Sequence, residues 1–361
     1  VESTDGNLAQ IAMDYGFVDG LWTREEIVRR MIQVAGKNGD ESPFPATTLG
    51  EYLAEAELLN GDGSAEENIG IVVAAGEILN GTQPPGVVGG DSTARMLREA
   101  RKDKSVKAVV LRVDSPGGSS FASEVIRNEV DELREAGKPV VVSMSSIAAS
   151  GGYWISMTAD RIYATPYTIT GSIGIFGMFP TFQRSLSALG ITTDGVGTTT
   201  LSGQLRADRA MSEEAKQVFQ LSINSGYDQF ITGVSDHRGM SKDVVDSIAQ
   251  GRIWTGEDAL ANGLIDDFGE IDAAIATAAE LAELEEGAYG TKNFDRKLDP
   301  AEELLLELMG GAQSWGLDFT RFAKPRPSIQ RVADIVEEAL SPLTRFNDPM
   351  GIYAHCFCVF E

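Results

Sequence analysis

The chain reads as an α/β protein built on a parallel sheet with flanking helices, and three features predict this. Apolar, β-branched runs alternate with amphipathic helical stretches between Ile69 and Ile147. The strand-like runs are apolar almost throughout rather than at every second residue, as expected of strands buried on both faces. The segments between them are long enough for the helical crossovers, normally right-handed, that parallel neighbours require.

Residues 69–74 form the first expected strand. Residues 92–101 follow as a helix capped by Asp91 or Ser92, whose side-chain oxygens can accept from free first-turn N–H groups. Residues 106–113 (VKAVVLRV) are the second strand. The stretch 119–136 places Phe121, Val125, Ile126, Val130 and Leu133 near a 3.6-residue period, and Gly137 ends it. Residues 140–144 are the third strand. Beyond Ser150 the pattern predicts a helix to about Ala159, short strands near Ile162 and Ile173, and a helix over 182–189. A long helix then runs from Ser212, opened by Glu213 and Glu214, to about Arg238. Residues 37–66 read as a linker with a short helix. Residues 286–361, interrupted by Pro325, Pro327 and Pro342, read as an irregular helical extension.

With 361 residues, 42% hydrophobic and 23% charged, the chain has ample core for one large or two ordinary domains. A net charge of -24 argues against nucleic acid as a partner, because nothing offsets phosphate repulsion. No apolar run approaches the roughly 18–20 residues of a membrane span, and Val1 opens no secretory leader. Cys356 and Cys358 are too few for a disulfide framework. Beside His355 they suggest a metal site, but an apolar tail carrying thiols is the plainer reading, and no metal or cofactor is expected. The two histidines, His237 and His355, leave few candidates for a Ser-His-Asp triad.

A short internal repeat is present. Tyr15-Gly16-Phe17-Val18-Asp19, followed by Arg24-Glu25-Glu26-Ile27, parallels Asn262-Gly263-Leu264-Ile265-Asp266, followed by Glu270-Ile271-Asp272-Ala273. Both read as helix, Gly-apolar-apolar-Asp, helix. The second copy closes the α/β domain; the first has nothing in front of it to close, which is expected of the tail end of a preceding tandem copy.

Three glycine-rich segments carry the chemistry. Ala148-Ala149-Ser150-Gly151-Gly152 sets a serine between a strand and a helix start, where free N–H groups and the macrodipole favour developing negative charge. Ser150 is therefore a candidate nucleophile in need of a base. Asp114-Ser115-Pro116-Gly117-Gly118 lies at the previous strand-to-helix turn, where glycines let backbone N–H groups approach a ligand, as an oxyanion hole requires. In a parallel sheet both turns lie at the same edge. Thr170-Gly171-Ser172-Ile173-Gly174 is either a tight bulged strand or a wall of the site, with Ser172 bonding a catalytic partner.

Together LRVDSPGGS (111–119), AASGGYWIS (148–156), TGSIGIFG (170–177) and GRIWTGEDALANGLID (251–266) resemble peptidase family S49, the signal peptide peptidases, which share the Clp protease/crotonase-like fold. The likeness covers about 67–285, and FNDPMGIYAHC (346–356) resembles the end of the family's long, tandem-duplicated form. It implies four segments: 1–36, the end of a preceding repeat; 37–66, a linker; 67–285, a peptidase domain; and 286–361, a helical extension.

The resemblance implies a Ser-Lys dyad, with Ser150 as nucleophile, Ser172 holding the lysine, and Gly117, Gly118 and Gly151 in the oxyanion region. It implies no cofactor. Short members carry the lysine in the loop before the long helix, but here that loop, 197–204, has none. Lys216 lies inside the helix on an expected solvated face, and Lys37 belongs to the linker. In the long form the first copy contributes the lysine. The expected function is thus a serine endopeptidase degrading cleaved signal peptides and other short hydrophobic peptides. It would act at the bacterial cytoplasmic membrane, facing the periplasm or outside, as a homo-oligomer (a tetramer) with an N-terminal half and an anchor outside this chain. The alternatives are a half or scaffold without its general base, and a crotonase-like acyl-CoA enzyme.

Overall fold

The computed structural model describes residues 12–37, 44–47, 52, 66–204, 206–296 and 347–358. The chain divides into two compact units, Val1–Gly63 and Ser64–Glu361. In the first, α1 (Arg24–Ala35) opens with a reciprocal cap: Thr23 Oγ1 accepts from the Glu26 N–H, and Glu26 Oε2 accepts from the Thr23 N–H at 2.7 Å.

The second unit begins with β1 (Asn68–Ala75), β2 (Ile78–Leu79), β3 (Val88–Gly89) and α2 (Gly90–Lys102). Then come β4 (Val106–Ser115), β5 (Gly117–Ser119), α3 (Ser120–Glu135), β6 (Val140–Ala149) and α4 (Gly151–Trp154). Next are β7 (Arg161–Ala164), β8 (Ile169–Gly171), β9 (Phe176–Gly177), α5 (Gln183–Ala188), α6 (Glu213–Arg238) and α7 (Lys242–Ile248). The unit closes with β10 (Ile253–Thr255), α8 (Gly256–Ala261), β11 (Asp267–Phe268), α9 (Ile271–Leu281), β12 (Gly290–Asn293) and β13 (Ile352–His355).

The main sheet runs β10-β8-β6-β4-β1-β12, parallel except for β10, with β7 pairing β6 and β11 beyond it. Strand residues alternate between two buried faces, which explains the near-continuous apolar runs. Val109, Leu111 and Val113 pack with Leu97 of α2, Ile126 and Val130 of α3, and Phe230 of α6. Ala108, Val110 and Val141 pack with Ala274 and Ala278 of α9 on the opposite face. The fold is the expected mixed α/β architecture, a parallel-dominated sheet flanked by helices, consistent with the Clp protease/crotonase-like type. A smaller sheet, ordered β3-β2-β5-β13-β9, sits at the chemistry-bearing end of β4.

Three local expectations change. The helix after Ser150 spans only Gly151–Trp154, and beyond it i−3 bonds at Ser156 and Ala159 alternate with an i−4 bond at Met157 in turns that lead the chain back toward β7. The cap of α2 is Gly89, not Asp91 or Ser92; the Ser92 hydroxyl instead donates to the Gly89 carbonyl at 3.3 Å. The described parts of 286–361 contain strands, β12 and β13, rather than helix, because Ile352-Tyr353-Ala354-His355 finds open sheet edges on β5 and β9. The stretch 297–346 lies outside the described residues.

Candidate active site

Ser150 ends β6 and caps α4 with φ 55° and ψ −112°. An L-residue at positive φ is strained by its Cβ, and such strain concentrates at functional sites. Its backbone is held on both sides: its N–H donates to the Gly171 carbonyl at 2.8 Å, and its carbonyl accepts from the Trp154 N–H at 2.8 Å. Tyr153, fully buried, anchors the same turn by donating its hydroxyl to the Leu264 carbonyl at 2.8 Å. The Ser150 side chain differs from its backbone. Its Oγ is buried and meets no hydrogen-bond partner among the described residues. Buried hydroxyls are nearly always bonded, so the Ser150 Oγ is open to a ligand or a catalytic partner.

The glycine turns expected at one sheet edge do converge. A Cβ built on Gly151 would stand 3.0 Å from Gly117 Cα, and one on Gly117 would stand 2.5 Å from the Gly151 nitrogen. Gly118 is packed equally closely, its Cβ position lying 2.0 Å from the Ile78 carbonyl oxygen. The Gly117 N–H donates to Ser115 Oγ at 3.1 Å, so Gly117 shapes the turn more than it offers a donor. Gly151 opens α4, where N–H groups have no intrahelical acceptor.

Ser172 is brought to the same place. The parallel register pairs Ala149 with Gly171, which sets Ser150 and Ser172 at successive positions on neighbouring strands. Ser172 is also buried at positive φ, 48°, and its N–H donates to the Arg252 carbonyl at 2.7 Å. It lines a cleft of about 600 Å³ whose apolar walls include Ile175, Phe176, Tyr227, Ile253 and Phe357. The predicted residues Ser150, Ser172, Gly117, Gly118 and Gly151 therefore occupy one corner of the molecule.

The candidate bases behave differently. Lys216 is exposed and pairs with Glu213 at 2.7 Å, on the solvated face expected of it. Lys138 is drawn below its ordinary value by burial, and its Nζ donates to the Ala100 and Asp103 carbonyls. It precedes β6 whereas Ser150 follows it, so a ten-residue strand at about 3.3 Å per residue separates them. His237 Nδ1 lies 2.9 Å from the Gly233 carbonyl in the last turns of α6. His355 lies closer to the site: its backbone pairs with Gly117, its Nδ1 is 3.8 Å from Glu77 Oε1, and burial holds it below the ordinary histidine value.

Residues 348–356 were missed by sequence reasoning as site elements. The Ala354 carbonyl oxygen lies 2.2 Å from the Gly117 Cβ position and 2.9 Å from that of Gly151, between the two glycines. The only hint was the match of FNDPMGIYAHC as an ending. The Cα atoms of Cys356 and Cys358 lie 5.1 Å apart, within the range a disulfide spans. No group of three or more metal-ligating side chains occurs among the described residues.

The model of peptidase family S49 matches residues 132–285. Protease 4 of Salmonella typhi is 41% identical over 98% of this chain and 56% of its own length. A protein of Enterococcus faecium named as signal peptide peptidase SppA is 36% identical over 50% of this chain and 52% of its own length. A Synechocystis protein named as a protease is 32% identical over 69% of this chain and 85% of its own length. The chain thus spans a little over half of the Salmonella relative. With its strained serine, converging glycine turns and these similarities, the chain belongs to peptidase family S49.

Proposed function

We propose that this chain supplies the nucleophilic half of a Ser-Lys endopeptidase that degrades cleaved signal peptides and other short hydrophobic peptides. The observation that carries the reading is the buried, unbonded Ser150 Oγ on a strained turn at the start of α4, where the Gly117 and Gly151 backbones converge. A neutral lysine amine takes the Ser150 proton as Oγ attacks the peptide carbonyl. The oxyanion develops against Gly151 and the Gly117-Gly118 turn, and backbone donors there need no reorganisation as charge forms. The amine returns the proton to the leaving nitrogen, and water then hydrolyses the acyl-enzyme. Ser172 orients the lysine, and the apolar cleft beside it suits hydrophobic peptides.

The lysine comes from a preceding copy of the domain. Support lies in the repeat. Gly16 and Gly263 have φ 71° and 76°, with N–H bonds to Met13 and Leu260, while Phe17 and Leu264 bond back to Ala12 and Ala259. The same helix-ending motif is thus built twice. Leu264 and Ile265 are 0% and 2% exposed against their domain, while Phe17 and Val18 are 79% and 41% exposed. That contrast fits a closing segment whose own domain lies upstream. The assembly is a homo-oligomer, a tetramer by family resemblance, at the outer side of the bacterial cytoplasmic membrane. No described helix is long and apolar enough to cross a membrane.

The test is hydrolysis of a hydrophobic peptide ester by this chain alone and joined to the upstream half. Activity should require the joined form, and Ser150→Ala should lower it by about 10⁴-fold or more. Full activity of the isolated chain would refute the split dyad. An active Ser150→Ala variant would refute the nucleophile. Turnover of an acyl-CoA independent of Ser150 would favour the crotonase-like alternative.

A further inference from the structure

We infer that Asp348 is a positioning residue for the oxyanion turn, clamping the tail strand β13 against Gly117, Gly118 and Gly151; this rests on the reading of Ser150 as nucleophile. Asp348 is 8% exposed, and its carboxylate is saturated from two directions. Oδ2 accepts from the Ser119 hydroxyl at 2.6 Å and from the Phe121 N–H at 3.1 Å. Oδ1 accepts from the Met350 N–H at 2.8 Å and the Ile352 N–H at 3.2 Å. Its own N–H donates to the Tyr353 hydroxyl at 3.2 Å. One carboxylate therefore joins the start of α3 to the turn that launches β13, across 229 residues of sequence.

Both ends of this joint lead to the site. On one side Ser119 follows Gly117 and Gly118 directly and caps α3, its Oγ accepting from the Ala122 N–H at 3.1 Å. Asp348 and Ser119 thus satisfy successive first-turn donors of α3, where a negative charge is also favoured by the dipole. On the other side β13 runs antiparallel to β5, with Tyr353 opposite Ser119, Ala354 opposite Gly118 and His355 opposite Gly117. The Cys356 N–H then donates to the Pro116 carbonyl at 2.7 Å. The Ala354 carbonyl lies against both Gly117 and Gly151, so a slide of β13 along β5 displaces the glycine backbone that must meet the oxyanion. Asp348 fixes that register from a position that does not line the cleft beside Ser172. Misplacement of reacting groups by an ångström costs on the order of 10²-fold.

The test is Asp348→Asn in the enzyme joined to its upstream half, with kcat and KM on a hydrophobic peptide ester. Melting temperature and the endpoint of fluorophosphonate labelling give the folded, competent fraction. Asparagine keeps the shape but turns an amide N–H₂ toward donors, so the clamp cannot close on both sides. The expected result is a folded protein whose kcat falls about 10- to 100-fold with KM within about threefold. A folded variant with wild-type kcat, or with only KM raised, overturns the inference. If Asp348→Asn does not fold, Ser119→Ala decides, since it removes one partner of the carboxylate and buries no new charge. A lowered kcat at unchanged KM upholds the clamp, and an unchanged kcat overturns it. Ser150→Ala in the same assay separates the two levels. If it stays active, the underlying reading fails; if it is dead while both clamp variants run at full rate, only the clamp fails.

Discussion

Gly117 shows how little freedom single residues have at this site. It stands at φ 91°, and an added Cβ would meet the Ala354 oxygen at 2.2 Å and the Gly151 nitrogen at 2.5 Å. Gly117→Ala is therefore expected to lose at least about 1–3 kcal/mol from backbone strain alone. It should also slow acylation by roughly 10²-fold, the scale of displacing the neighbouring site groups by an ångström. Chemical denaturation and the rate of Ser150 labelling by a fluorophosphonate check the two effects. At this scale the sequence was informative about residue types: a serine and paired glycines at strand-to-helix turns point to acyl transfer. It could not show that Ser150 and Ser172 both take positive φ, because that strain is imposed by neighbouring strands, through Gly171 and Arg252 carbonyls.

Among the elements, α6 was the most legible. Ser212 accepts from the Ala215 N–H at 3.2 Å, Glu213 and Glu214 occupy the first turn, His237 and Arg238 the last, and Gly239 ends the helix at φ 64°. These are local signals, and they lie within a turn of the ends they specify. Lys216 on this helix pairs with exposed Glu213, an arrangement worth less than about 1 kcal/mol. Lys216→Ala should leave peptide-ester hydrolysis unchanged within about twofold and stability within about 0.5 kcal/mol. A large loss of kcat would instead make Lys216 the base. The short strand β13 was not legible as such. Four residues carry no periodicity to read, and their pairing partners lie more than two hundred residues earlier on β5 and about 175 residues earlier on β9.

For the molecule as a whole, the net charge of -24 sets the surface but not the site, which is formed by backbone groups and apolar walls. One buried titration should nevertheless be visible globally. Burial holds the His355 imidazole below its ordinary 6.5, so on acidification the unfolded chain takes up the proton first. The stabilising contribution is fully present above pH 6.5 and declines as pH falls through the folded value. Melting temperature should therefore drop between pH 8 and pH 5, and His355→Gln should lose less over that interval; an equal loss in both would exclude His355 as a source. Residues 67–285 were legible as a parallel α/β unit because two-faced burial makes strands apolar throughout and crossovers make helices amphipathic, both properties of contiguous sequence. Pattern and motif together were enough to give the class, the nucleophile candidate and the family. Tertiary structure alone decided what those residues meet. It left Ser150 Oγ buried without a partner, seated the Ala354 carbonyl between two glycines, and tied Asp348 to Ser119, because each contact joins segments far apart in sequence that only the folded sheet brings within ångströms.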